Sequence, residues 1–149
     1  MAHLIGLAEG EINASSARRY VARASNPGGV VTFEGVTRFE RDEEHGDLTR
    51  LIYEAYRPMA ERQLALLAEE ARRRWPIQRL VILHRLGEVR VGETSVLIIV
   101  ACAHRAEAFE ACRWLIDSIK KDVPIWKKDV YADGFVRWVD PQDGTKREE

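Results

Sequence analysis

Apolar residues recur along the chain with two different periods, and the switches between them divide it into strands and helices. Residues 3–11 (HLIGLAEGE) alternate loosely and predict a first strand, after which Asn13, Ser15 or Ser16 can cap a short helix running to about Ala24. Asn26-Pro27-Gly28-Gly29 is a turn signal, and the β-branched run Val30 to Arg38 predicts a second strand in which Gly35 marks a bulge or a close approach. Phe39 to Asp47 is acidic and polar, which predicts a mobile loop with no fixed shape. Leu48 to Tyr56 alternates again and predicts a strand pairing back on the one before it.

Pro58 suits the first turn of a helix that continues through Arg74 and is stopped by Trp75-Pro76. Its apolar face is predicted to hold Met59, Leu64, Leu67, Ala68 and Ala71, with Arg72-Arg73-Arg74 as a solvated end favoured by the helix dipole. Arg79 to Glu88 and Thr94 to Ala103 predict two strands around Val91-Gly92-Glu93. Val96 to Val100 is apolar at every position, as a strand covered on both faces must be. From His104 to Lys121 the helical period returns, with Phe109, Cys112, Leu115, Ile116 and Ile119 on one side and Arg113, Asp117 and Lys120 on the other. Pro124 ends that helix; a strand to Tyr131, a turn at Ala132-Asp133-Gly134 and a short strand Phe135–Val139 follow. The expected class is α+β, mainly antiparallel sheet with packed helices, in one domain over residues 1–140 with a polar tail over 141–149.

Composition narrows the function classes. The 149 residues, 46% hydrophobic and 32% charged, are enough for one domain with a real core. A net charge of −1 supplies no global attraction to nucleic acid or to an anionic membrane, so any anion binding has to be local. With no apolar run of about 18 residues and no leader-like start, a cytoplasmic protein is expected. Cys102 and Cys112 lack CxxC spacing and read as small buried hydrophobes, and no metal or cofactor is expected.

The distribution of lysine adds the first chemical clue. Of 23 basic residues 18 are arginine, and four of the five lysines, Lys120, Lys121, Lys127 and Lys128, stand within one stretch of nine residues. Arginine keeps its proton in a protein, whereas a desolvated or crowded lysine can become a neutral amine. Solvated ends of a helix and a strand would explain the pairs, and so would a site that needs an amine for proton transfer or covalent chemistry. Two further places concentrate cations: Arg38 at the end of the second strand, and His104-Arg105 at a helix start, where backbone N–H groups favour an anion. His3, His45 and His84 read as structural or solvated. His104 and Lys120 lie at opposite ends of one helix, roughly 24 Å apart at 1.5 Å per residue. Either there are two sites, or a twofold dimer brings His104 and Arg105 of one subunit beside Lys120 and Lys127 of the other.

Taken in order, Gly29-Val30-Val31-Thr32-Phe33-Glu34-Gly35 with Thr37-Arg38, Tyr53-Glu54-Ala55-Tyr56 with Pro58-Met59, Arg74-Trp75-Pro76, His84-Arg85-Leu86-Gly87, Ala103-His104-Arg105 and Val123-Pro124-Ile125-Trp126-Lys127-Lys128 resemble the large, catalytic subunit of the molybdopterin synthase family. The likeness runs from about residue 3 to 139. It implies an α/β-hammerhead-like fold and a homodimer of large subunits within a heterotetramer. At each end it implies a small ubiquitin-like sulfur carrier whose C-terminal Gly-Gly thiocarboxylate enters the pocket. The implied reaction moves two sulfurs to cyclic pyranopterin monophosphate and forms the molybdopterin dithiolene. By motif, Lys120 and Lys127 match the essential lysines, and Arg38, His104, Arg105, Lys128 and Phe33 match substrate-binding positions. Phe39 stands where the family usually has asparagine. Two rivals are a non-catalytic scaffold for a ubiquitin-like protein and a nucleic-acid-binding module; a net charge of only +1 between His104 and Tyr131 speaks against the second.

Overall fold

Strand β7 (Thr94–Cys102) organises the core, because its side chains are apolar on both faces and both faces are covered. The computed structural model describes residues 3–24, 26–139 and 146–148. In it β7 lies between β5 (Ile77–Arg85) and β2 (Gly29–Val36), antiparallel to both, and β1 (His3–Ala8) adds to β5 in parallel. Period-two alternation divides this four-stranded sheet into two clusters. Ile82, Val96, Ile98 and Val100 face one way, towards helices α2 (Arg57–Arg74) and α3 (Arg105–Asp122). Val81, Leu97, Ile99 and Ala101 face the other way and are covered by Ile12 and by Ala17 and Val21 of α1 (Ala14–Val21). Each large aliphatic side chain so buried contributes about 1.5–3 kcal/mol. Asn13 caps α1, its side-chain oxygen accepting from the Ser16 N–H at 2.9 Å.

A second sheet is built on β4 (Gly46–Ala55), which pairs antiparallel with β8 (Ile125–Tyr131), with β6 (Gly87–Arg90) and with the two-residue β3 (Arg41–Asp42); β9 (Val136–Val139) and β10 (Lys146–Glu148) continue outward from β8. The α+β class, single domain and mainly antiparallel pairing agree with expectation. The tail contributes β10, while 141–145 and 149 lie outside the described residues. Among the described residues no helix is long and apolar enough to cross a membrane.

Several local expectations are corrected. The strand after residue 47 does not pair back on β2; it joins the other sheet, because the face bearing Leu51 and Tyr53 is buried there. Residues 39–47 are not shapeless. Asp42 Oδ1 accepts from the N–H groups of Glu44 at 2.9 Å and His45 at 3.1 Å, Gly46 takes φ 84°, and β3 folds back on Gly46 and Asp47 as a hairpin. The expected strand from Arg79 to Glu88 breaks at Leu86 into β5 and β6. Met59 and Phe109 are exposed, while Ala60, Ala108 and Ala111 are fully buried. Gly35 carries both features expected of it: the β2–β7 register shifts there, and an added Cβ would stand 2.5 Å from Val96 Cγ1. Arg72, Arg73 and Arg74 are exposed, as expected of a solvated helix end; Arg73 and Arg74 also pair with Glu70, and Arg74 lies over the Trp114 ring.

Both cysteines are buried and free. Burial raises each thiol's pKa, Cys112 to about 11. Neither is expected to react with an aromatic disulfide reagent in the native protein, and both should react on unfolding. A native thiol titrating within minutes at pH 8 would contradict this packing.

Candidate active site

Two breaks in regular structure bring the lysine segment to one cleft. Helix α3 stops at Asp122 because Pro124 follows, and Val123 turns extended at φ −88°, ψ 124°. The chain then enters β8, where Lys127 is paired in register with Tyr53 of β4. Lys120 from the last turn of α3 and Lys127 from β8 thereby face a cleft of about 390 Å³. Gly35 and Val36 of β2, and Thr37, Arg38 and Glu40 of the loop after it, form a second wall. Leu48, Leu51 and Tyr53 of β4, with Ser95 and Asp129, complete the lining. The loop is tied in place by three backbone bonds: Thr37 N–H to Glu93 O at 3.0 Å, Gly92 N–H to Thr37 O at 2.9 Å, and Leu48 N–H to Glu40 O at 2.8 Å.

The electrostatics favour a loosened proton on one amine. Lys120 as a residue stays exposed at the mouth, yet the atoms packed around its amine desolvate the charge and Lys127 repels it, and both lower its pKa. Tyr53 moves the other way: burial raises its phenol's pKa and Asp129 adds to this, while a hydrogen bond with Ser95 opposes it. Behind Tyr53, His84 presents its ring edge-on at 5.0 Å. Its Nδ1–H faces the Arg85 carbonyl at 2.9 Å, and burial, with the Lys120 charge adding, lowers its pKa to about 4. The cleft thus keeps a neutral imidazole beneath two amines and an arginine.

Keeping His84 neutral makes the stability of the fold depend on pH. Between the ordinary imidazole value of 6.5 and about 4, the unfolded chain binds a proton that the native protein does not. The contribution is therefore complete above pH 6.5 and is lost as pH falls through about 4, a change on the order of 3 kcal/mol. His84→Gln should flatten the stability profile between those pH values in urea unfolding; an unchanged acid slope would contradict a neutral buried His84.

Of the seven residues singled out in the sequence, the cleft of one chain unites Lys120, Lys127 and Arg38. His104 is the N-cap residue of α3 and, with Arg105, is exposed at the helix end remote from Lys120. Lys128 points away from the cleft, pairing with Glu54 at 3.3 Å and lying 4.7 Å over the Trp138 ring. Phe33 is part-exposed on the edge strand β2, outside the cleft lining. Tyr53, Ser95, Thr37, Glu40 and Asp129 were not anticipated. Strand alternation from Lys127 already places Asp129 on the same side, but Tyr53 and Ser95 become visible only with the strand registers in hand. Among the described residues no group of three His, Cys, Asp or Glu is placed to hold a metal ion.

Known proteins share both the sequence and this architecture. Residues 7–122 match the family model described as MoaE protein. The chain is 47% identical over 116 residues to the molybdopterin synthase catalytic subunit of Thermoplasma volcanium, covering 78% of this chain and 83% of the relative. It is 48% identical over 121 residues to the molybdopterin synthase catalytic subunit of Arabidopsis thaliana, covering 79% of this chain and 60% of that longer protein. The crystal structure of molybdopterin synthase from Staphylococcus aureus superposes with a TM-score of 0.81 at 34% identity, covering 91% of this chain and 96% of that one. Sequence and fold together place this chain in the MoaE family.

Proposed function

We propose that this chain is the catalytic subunit of a molybdopterin synthase. In this reading it moves sulfur from the thiocarboxylated C-terminus of a small ubiquitin-like carrier to cyclic pyranopterin monophosphate and forms the dithiolene. The observation that carries the proposal is the convergence of Lys120, Lys127 and Arg38 on one cleft. Arg38 supplies a planar cation suited to a phosphate. Sulfur addition, loss of oxygen and opening of the cyclic phosphate each require a proton to be moved. An amine with a lowered pKa is suited to that work. Lys120 is assigned as the acid/base or transient covalent amine and Lys127 as the residue that positions substrate and carrier tail.

His104 and Arg105 lie at the far end of α3 from Lys120, so in this reading they act on a pocket completed by a second copy of the chain. Phe33 on the open edge strand and Lys128 are assigned to the same composite pocket. The working assembly is then a homodimer carrying one small subunit at each end, a heterotetramer, and needs no metal or cofactor of its own.

The test is direct. Wild-type protein is mixed with thiocarboxylated carrier and cyclic pyranopterin monophosphate, and both are followed by mass spectrometry. Two carriers should lose sulfur for each dithiolene formed. If the thiocarboxylate persists while the carrier binds, the chain is a scaffold and the catalytic reading fails. For the composite pocket, His104→Ala and Lys120→Ala chains are each expected to be inactive alone and to regain up to about a quarter of wild-type activity when mixed, since only some mixed dimers hold one intact pocket. No recovery on mixing would mean that the two residues serve separate sites of one chain rather than a shared pocket.

A further inference from the structure

The hairpin at residues 41–47 is fastened at its tip to the turn between β8 and β9. His45 stacks on Phe135 with ring centroids 3.7 Å apart and planes 9° from parallel. Its Nδ1–H donates to Asp133 Oδ2 at 2.7 Å, and Glu44 lies 3.6 Å from its Nε2. Asp133 is itself held, its other carboxylate oxygen accepting from the Phe135 N–H at 2.9 Å, and the hydrogen bond from His45 keeps its carboxyl below the usual carboxylate range. A second tie runs beside the first: Arg137 of β9 reaches Asp42 of the hairpin at 3.4 Å. The Ala132 N–H also donates to the Asp47 carbonyl at 2.9 Å.

These contacts join two walls of the cleft. On one side, His45 closes the hairpin that begins just after Arg38 and Glu40. On the other, Asp133 and Phe135 follow directly on β8, which carries Lys127 and Asp129. We propose that His45 is a positioning residue for the reaction: by stacking on Phe135 and bonding to Asp133 it sets the spacing between the Arg38 wall and the Lys127 wall. The role rests on the reading of this cleft as the sulfur-transfer site. His45 itself does not line the cleft, so its loss is expected to act on substrate capture rather than on the proton-moving step. Without the clasp, Arg38 and Lys127 would meet the phosphate at variable separation, a cost that appears at binding.

The experiment compares wild type, His45→Ala and His45→Phe in complex with the thiocarboxylated carrier, reading KM and kcat for cyclic pyranopterin monophosphate. Amide hydrogen exchange of residues 41–48 and 131–135 is followed on the same preparations. His45→Ala should raise KM roughly fivefold, the scale of one lost aromatic pair, with kcat within about twofold, and should speed exchange at Glu44, His45 and Ala132. His45→Phe keeps the stack and should recover part of the KM. The proposal is overturned if His45→Ala leaves KM and exchange unchanged, or if kcat alone falls. Absence of turnover in the wild type would instead sink the sulfur-transfer reading, and exchange would still decide whether the clasp holds the two walls together.

Discussion

Lys120→Ala is expected to lower the rate of dithiolene formation by about 10²- to 10⁴-fold, the range contributed by a positioned general acid or base. Carrier binding should be unaffected, because the truncation removes an amine from the mouth of the cleft and leaves the buried face of α3, with Ala111, Cys112, Leu115 and Ile119, intact. Lys120→Arg separates charge from proton transfer. A guanidinium keeps the positive charge but holds its proton, so the arginine variant should be nearly as inactive as the alanine variant. Full activity in Lys120→Arg would mean that position 120 supplies charge alone, and the proton-moving role would pass to Lys127. Measuring kcat and carrier affinity separately keeps a failure of docking from being read as a failure of chemistry.

Gly28→Ala is expected to have the largest effect on stability among single-methyl changes. Gly28 donates its N–H to the Cys102 carbonyl at 2.9 Å, and a Cβ at this position would overlap the backbone oxygen of Ala103. No side-chain rotation can relieve a collision with backbone, so the start of β2 must move away from the junction between β7 and α3. The cost should be on the order of 3 kcal/mol, the upper range for overpacking, and should lower the melting temperature by roughly 6–12 °C. The displaced junction carries His104 and Arg105, so residual activity in the folded fraction should also fall. A melting temperature within a degree or two of wild type would show that this approach is looser than described.

How far such features were readable in advance depends on how local their causes are. The ends of α2 and α3 were legible because Pro58, Pro76 and Pro124 act on their immediate neighbours. The burial of β7 was legible because a strand apolar on both faces has to be covered twice. The partner of β4 was not, since pairing over long sequence separation is decided by which faces pack. The stripes through Leu64, Leu67, Ala68 and Ala71 and through Cys112, Leu115 and Ile119 are buried as expected, and only Met59 and Phe109, near the helix starts, are exposed. Ala60, Ala108 and Ala111 are buried instead, and small residues add little to an apolar pattern. The charges of 41–47 suggest mobility, although Asp42 and Gly46 carry the turn chemistry that forms the hairpin.

The candidate site follows the same division. Lysine usage and Pro124 were enough to expect Lys120 and Lys127 to converge. The neutral layer beneath them was invisible, because Tyr53, His84 and Ser95 come from three strands whose registers no local pattern states. His104 and Arg105 lie outside this cleft, in agreement with the helix-length separation expected between His104 and Lys120, whereas Lys128 is turned away by strand alternation from Lys127 and Phe33 lies on the edge strand β2.

In this reading Lys120 carries an amine whose proton is loosened by the cleft and by Lys127. The most direct measurement is an NMR titration of the Lys120 side chain, by its ¹³Cε or ¹⁵Nζ resonance, in wild type and in Lys127→Met. The amine should titrate below the usual lysine range in the wild type and move upward when Lys127 is removed. A Lys120 that titrates like a solvated surface lysine in both proteins would contradict a loosened proton at this amine.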